Sequence, residues 1–478
     1  MSREGDADRE KAPQQPGGAH KGDPVAVLDT ITQYVTIVIA VFTGVYNVSL
    51  LALGTILARR AEGSMRGQLL RAHEPTVELP IGWSVFVLVP CLNEERVIAN
   101  TLRCLLEGQP GARIVVVDDG SDDATARIVQ TVGGDRVTLV RRTLPAARRG
   151  KGAALNAGLY TVREQAGKEG LDTGRVLVCV LDADGRMTPG AAGRVTLRFA
   201  DPAVGGAQLA VRIRGRHRWA LRLQDLEFWA LSALTQFGRI ATGTVSMGGN
   251  GQFSRLSALD SIGPLPWSDS LTEDLDLGIS LAARGWTVTS TTTAFVSQQG
   301  LTSPRRLLRQ RARWYHGHMS AIRRLPELWT HSAVGIRGRV ELTCYLLVPY
   351  LVTLPASVIQ HYAVLRALCG DGAGMPRLVP GSVWLNVLAW QSLPFTAYLV
   401  SALLYWRRTD DLPAWKAVCG SPAVMVCMYL GFAASWCALW QIITRRRRWT
   451  KTERAVETPV ASVTPATVRS TMPSTTER

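Results

Sequence analysis

The sequence predicts an α/β domain with a parallel sheet, set between helices that cross a membrane. Three observations predict it. Short apolar runs at Val85–Val89, Ile114–Val117 and Val176–Leu181 each lead into a polar turn, and the first two continue into helix-like sequence at Glu94–Leu106 and Asp122–Val132. Strand, turn and helix in alternation describe a parallel sheet covered on both faces. Outside this block lie four long apolar stretches, Ile31–Leu57, Leu342–Leu365, Val383–Trp406 and Ala423–Ile443, each near or above the roughly 20 residues that span a bilayer. Finally, acids stand at two of the strand ends, where sheets of this kind bind ligands.

Taken in order, residues 1–30 are polar and rich in Gly, Pro and charge, which predicts a disordered segment with no signal peptide. A membrane helix follows at 31–57. The α/β domain occupies 78–303. Residues 304–330 read as an amphipathic helix, with Leu307, Leu308, Trp314, Ile322 and Leu325 among arginines, a composition suited to a membrane surface. Residues 342–443 form a bundle of about three membrane helices, the first expected to kink at Pro349 and Pro355. The Thr/Pro/Ser-rich stretch 450–478 is expected to be disordered. Arg59, Arg60, Arg66 and Arg71 after the first apolar stretch place the central domain in the cytoplasm of a multi-pass cell-membrane protein. Arg445–Arg448 conflict with this, because a count of four spans puts them outside.

The chain has 478 residues and a formal net charge of +16, a balance that suits anionic lipid or a phosphate-bearing ligand. Nucleic acid is not an expected partner, since no helix-turn-helix or zinc-finger spacing is present. The eight cysteines form no CxxC pair and read as isolated thiols.

Four groups carry chemistry. Asp118-Asp119-Gly120-Ser121 ends the second run; it can hold a polar ligand, or Ser121 can cap the next helix. Asp182-Ala183-Asp184 ends the third, and two carboxylates converging there would repel without a cation, Mg²⁺ or Mn²⁺ being the hard ions that suit them. Thr272-Glu273-Asp274 reads as a helix cap with acids in the first turn, or as a general base facing a cleft. Gln310, Arg313 and Trp314 share a helix face, where a guanidinium can grip a diphosphate and an indole can support a sugar.

In this order, with Pro90-Cys91-Leu92-Asn93-Glu94-Glu95 before them, these residues resemble the family 2 glycosyltransferases, in particular the membrane-embedded processive synthases of cellulose, chitin, hyaluronan and poly-N-acetylglucosamine. The resemblance runs from about Val85 to Gly317. It implies a GT-A (Rossmann-like) fold in which Asp118, Asp119 and Asp182 hold the nucleotide, with Lys151 of Arg149–Gly152 nearby, and Asp184 binds the metal. It further implies that Asp274, beside Glu273, is the catalytic base, and that Gln310, Arg313 and Trp314 bind the diphosphate and frame the acceptor. The Gly248–Gln252 stretch stands where relatives line the acceptor. The implied reaction is inverting transfer from UDP-N-acetylglucosamine or UDP-glucose to a growing β-linked polysaccharide, with coupling to export as a further implication. The alternative acceptor is a lipid carrier, polyprenyl phosphate, receiving a single sugar.

Overall fold

The computed structural model describes residues 24–69, 78–330, 333–369, 382, 384–385, 400, 402–409, 413–420, 424–445 and 454–457. Eight strands form one sheet: β1 (Ser84–Cys91), β2 (Arg113–Asp118), β3 (Val137–Arg141), β4 (Val176–Val180), β5 (Arg186–Met187), β6 (Val204–Arg214), β7 (Gln252–Arg255) and β8 (Thr287–Gln299). Their order is β3-β2-β1-β4-β7-β6-β8-β5. The three apolar runs become β1, β2 and β4, which pair in parallel with one another or with β3. Side chains alternate between the two faces. Val85, Val87 and Val89 pack with Ile98, Leu102 and Leu105 of the helix Ile98–Gly108. Phe86 and Leu88 pack with Leu155, Leu159 and Val162 of the helix Lys151–Lys168. Both faces are buried, which is why these strands are continuously apolar.

The expected parallel sheet holds for β1 to β4, and the remaining strands make it a mixed one: β7 runs antiparallel to β4 and β6, β5 antiparallel to β8, and β8 parallel to β6. Strand β7 has four residues with Phe253 its one large apolar side chain, and β8 is rich in threonine. Neither shows the unbroken apolar run that marked the parallel half. The parallel strands β1, β2 and β4 end along one edge, where Asp119 N–H bonds to Cys91 C=O at 2.8 Å and Leu181 N–H to Leu88 C=O at 2.9 Å. The acid-bearing loops leave from that edge.

Three described helices are long and apolar enough to cross a membrane, Thr30–Arg60, Ile336–Tyr362 and Val426–Ile443. The first belongs to the helix Pro24–Leu69, which begins inside the stretch expected to be disordered. Within the second, Pro349 opens a π turn, Pro349–Thr353, between helical segments; a wider turn accommodates a ring that cannot donate a hydrogen bond. The Val383–Trp406 span lies largely outside the described residues, as do 1–23 and most of 450–478.

The third helix has both flanks seated on the α/β domain. Before it, Tyr405 donates to Asp225 at 2.7 Å, Arg408 donates to the carbonyl of Trp229 at 2.6 Å, and Gly420 lies against the Trp219 ring. After it, Arg454 meets Asp184 at 3.0 Å.

Candidate active site

A cavity of about 590 Å³ opens beyond the carboxyl edge of the sheet, within the size range of small-ligand sites. Lys151, Asp119, Asp182, Glu273, Asp274, Gln310, Arg313 and Trp314 all line it. Most of the residues singled out from the sequence thus converge, although they come from five separate segments. Asp118 and Asp184 stand behind the wall, both fully buried.

Lys151 is the electrostatic centre. It opens its helix, and its ammonium donates to Asp182 Oδ1 at 2.6 Å and to the carbonyl of Gly249 at 2.8 Å, with Glu273 Oε1 at 3.7 Å. Burial works against the ammonium, but Asp182 and Glu273 outweigh it and hold Lys151 above its ordinary value. Burial also acts on Asp182, yet Lys151 and Arg454 keep that carboxyl low. The Gly249 carbonyl approaches because glycine leaves room. A Cβ there would stand 2.7 Å from Lys151 Nζ, 3.3 Å from Asp274 Oδ2 and 3.8 Å from Glu273 Oε1.

Glu273 and Asp274 occupy the first turn of the helix Glu273–Ala283. Burial pushes Glu273 up to about 7, with Lys151 opposing and Asp274 adding to the rise. Asp274 is raised by the same burial against the same lysine. A carboxyl that releases its proton near neutrality, as Glu273 does, is suited to act as a base. Thr272 stands at the N-cap position but makes no cap hydrogen bond, contrary to the expected cap. Its side chain packs instead on Gly317.

Asp119 pairs with Arg142, and its carboxyl is raised by burial against that arginine. Asp118 accepts from Ser121 N–H at 2.9 Å and faces Arg141 at 3.3 Å. Ser121 does not cap the helix Thr125–Gly133; its hydroxyl accepts from Asn93 N–H at 2.9 Å. Asp118 therefore shapes the turn from behind while Asp119 faces the cavity.

The Ser303 hydroxyl caps the helix Pro304–Ser320, which carries Gln310, Arg313 and Trp314 into the cavity. Burial lowers the affinity of Arg313 for its proton, with Glu273 opposing. Sequence reasoning missed Glu227. This residue opens a π turn, Glu227–Ser232, and takes Arg311 in a two-pronged pair at 2.7 and 2.6 Å. Arg311 lies 4.7 Å over the Trp314 ring, and Phe228 meets Trp314 edge-on at 6.0 Å. The π turn was the one irregularity to find there, and composition does not reveal it. Beyond these residues the cavity runs past His318 to Tyr345, Val348 and Pro349, on the apolar helix Ile336–Tyr362. Burial holds His318 down at about 4, so its imidazole is neutral.

Asp184 accepts from Gln299 N–H at 2.9 Å through Oδ2. Its Oδ1 receives no directed hydrogen bond among the described residues, and the Arg454 guanidinium lies 3.0 Å away. A buried carboxylate oxygen with charge nearby but no donor suits a cation. No cluster of three or more His, Cys, Asp or Glu able to hold a metal occurs among the described residues. Two carboxylates are nonetheless enough for Mg²⁺, which shares its remaining positions with substrate phosphates.

This mixed sheet with its acids gathered at one edge is the GT-A glycosyltransferase fold. The chain belongs to the glycosyltransferase-like family 2, whose family model matches residues 82–317. It is 30% identical over 361 residues to the beta-monoglucosyldiacylglycerol synthase of Synechocystis sp., covering 68% of this chain and 69% of the relative. It is 29% identical over 293 residues to the enzyme of the same name from Trichormus variabilis, covering 59% of each chain. Among solved structures, the mannosyltransferase PcManGT from Pyrobaculum calidifontis, in complex with GDP-Man and Mn²⁺, superposes with a TM-score of 0.51 at 17% identity, over 85% of this chain and 99% of that one. These relatives by sequence are glycolipid synthases. The expected kinship with polysaccharide synthases is corrected accordingly to family membership alone.

Proposed function

We propose that this protein transfers one hexose from a UDP-sugar to the hydroxyl of a neutral membrane lipid of the diacylglycerol type, with inversion. The observation that carries this is the continuity of the cavity: it runs from Asp182, Glu273 and Asp274 to Tyr345, Val348 and Pro349 on a membrane-length helix. An acceptor can reach the acids from the bilayer without leaving it. The names of the relatives point to the same acceptor class.

Charge favours a neutral headgroup over polyprenyl phosphate. At the acceptor end Arg311 is matched by Glu227, and His318 is held neutral by burial. Among the described residues at that end, an acceptor phosphate would meet a carboxylate and no newly available cation. A growing polymer is the weaker reading, because the sequence relatives make glycolipids.

Asp274 takes the proton of the acceptor hydroxyl, whose oxygen attacks the anomeric carbon as the bond to the diphosphate breaks. One in-line displacement turns an α-linked donor into a β-linked product. Arg313 and Gln310 offer donors to the departing diphosphate, and Trp314 supports the sugar face. Asp182 and Asp184 would hold Mg²⁺ or Mn²⁺, which supplies positive charge to the leaving group when bound. Asp119 and Lys151 orient the nucleotide end, with the catalytic domain cytoplasmic.

The test uses the purified full chain in vesicles, labelled UDP-sugars, and vesicles carrying diacylglycerol, polyprenyl phosphate or neither. The expected result is label in a neutral glycolipid, dependent on diacylglycerol and reduced about 10²- to 10⁴-fold by Asp274→Asn. Label in a polymer, or only in a phosphate-linked lipid, overturns the reading.

A further inference from the structure

The four residues Arg454–Glu457 are seated over the Asp182–Asp184 turn, within a stretch whose composition predicted disorder. Their docking is built from several directions. Glu457 accepts from Arg214 at 2.6 Å, Gln299 at 2.9 Å and Asn100 at 3.3 Å, and pairs with Arg186. Ala455 exchanges two hydrogen bonds with the Gln299 side chain, at 2.9 and 3.0 Å. This grip points Arg454 into the cavity, where its guanidinium lies 3.0 Å from Asp184 Oδ1 and 3.9 Å from Asp182 Oδ2.

The contact is incomplete on both sides. Asp184 Oδ1 is buried without a directed hydrogen bond, and Arg454 Nε is buried without a partner among the described residues. Arginine frequently grips a carboxylate with two parallel bonds, as Arg212 does with Asp225 at 3.1 and 3.0 Å. At Asp184 the guanidinium supplies charge and little else.

We propose that Arg454 is a built-in stand-in for the divalent cation: Arg454–Glu457 is a strap that closes the Asp182–Asp184 pair in the unliganded enzyme and is displaced from it when the metal binds. Asp182 is partly exposed and pairs with Lys151 at 2.6 Å, whereas the buried Asp184 has Arg454 as its charge partner at 3.0 Å. Metal entry is then an exchange of one cation for another. Anything that lifts the strap from Arg214 and Gln299 raises metal affinity, so metal loading is coupled to the position of the chain after the last apolar helix. The inference rests on the reading that Asp182 and Asp184 receive the cation.

The experiment is a Mn²⁺ titration of the purified full chain in detergent, read by electron paramagnetic resonance with no nucleotide or acceptor present. Arg454→Ala is expected to lower the Mn²⁺ dissociation constant about fivefold, because a competitor for the same carboxylates is gone. Glu457→Gln leaves the arginine in place but loosens the strap, and shifts affinity in the same direction by less. Asp184→Asn abolishes binding. Unchanged or weaker Mn²⁺ binding in Arg454→Ala, with Asp184→Asn still abolishing it, overturns the strap and leaves the metal site standing. Mn²⁺ binding that is indifferent to Asp184→Asn overturns both the cation site and the strap, whereas the lipid acceptor is judged separately by product.

Discussion

A Cβ on Gly317 would overlap both branches of the Thr272 side chain. The helix that carries Gln310, Arg313 and Trp314 thus rests directly on the residue preceding Glu273 and Asp274. Groups that would bind the leaving diphosphate are set in register with the acids by one glycine contact. Gly317→Ala forces one of the two elements to move, since overpacking a tight contact costs about 1–3 kcal/mol. The expected outcome is a lowered melting temperature and a larger loss of kcat, because small displacements of positioned groups are amplified in rate. Adding Thr272→Ala removes the two nearest clashing atoms and should recover part of both, a coupling read by a double-mutant cycle.

Lys151 sets the proton affinity of the acids around it. Replacing it with glutamine removes the positive charge that opposes the rise of Glu273, so Glu273 and Asp274 should retain a proton to higher pH. The acidic limb of the kcat/KM profile should move toward alkaline pH, and a profile that stays in place would show that neither acid acts as the base. Stability follows the opposite sense in the wild type. A carboxyl raised from an ordinary 4.5 to about 7 binds its proton more tightly when folded. Its stabilising contribution is full below 4.5 and declines as pH rises through 7. Lys151→Gln should extend that decline upward, measurable as melting temperature against pH.

Much of this site was legible because its chemistry sits where parallel strands end. The runs at Val85, Ile114 and Val176 located three strands, and the acids just past them located the edge at which ligands bind. The mixed half was illegible because Gln252–Arg255 and the threonine-rich Thr287–Gln299 lack a continuous apolar signal, being organised by pairing with β6, the first antiparallel and the second parallel. Glu227 escaped notice because a π turn, not a motif, aims it at Arg311. Arg454 escaped because its position depends on Glu457 gripping four distant segments, and no local pattern encodes such a grip. Thr272 shows the converse: its place before two acids reads as a cap, yet packing against Gly317 claims the side chain.

The Glu227–Arg311 pair holds the face of Trp314 that would meet an acceptor in the proposed reaction. Glu227→Ala leaves Arg311 without its carboxylate in a largely enclosed place, where side-chain exposure of the arginine is 12%. The guanidinium should swing away from Trp314 and unsettle its edge contact with Phe228. The expected effect is a rise of about tenfold in KM for the lipid acceptor with KM for the nucleotide-sugar little changed, in line with about 1–3 kcal/mol for a broken charge-assisted bond. Arg311→Lys should not restore it, because an ammonium cannot form the two-pronged pair or lie flat on the indole. Equal rises in both KM values would place Glu227 outside the acceptor end.

The helix Ile336–Val348 begins nearly two turns before the apolar stretch that starts at Leu342, and those turns contain Glu341. This carboxylate pairs with Arg239 at 2.8 Å and accepts from Tyr46 at 2.8 Å and Thr244 at 2.6 Å. It therefore joins the first apolar helix, the α/β domain and the second apolar helix at one buried point. Arg239 also lies 4.0 Å over Tyr345, a residue that lines the proposed acceptor end of the cavity. Removing one member of a buried pair typically costs about 3–5 kcal/mol, because the remaining charge is left uncompensated. Glu341→Ala should thus lower the melting temperature in detergent sharply. Arg239→Met with Glu341→Met removes both charges and should return most of the stability, since an apolar replacement of a buried pair is often neutral. The double variant separates folding from function: with stability restored, Tyr345 has lost the cation that holds its ring, and the acceptor KM should remain raised. Recovery of both properties together would assign the pair to stability alone.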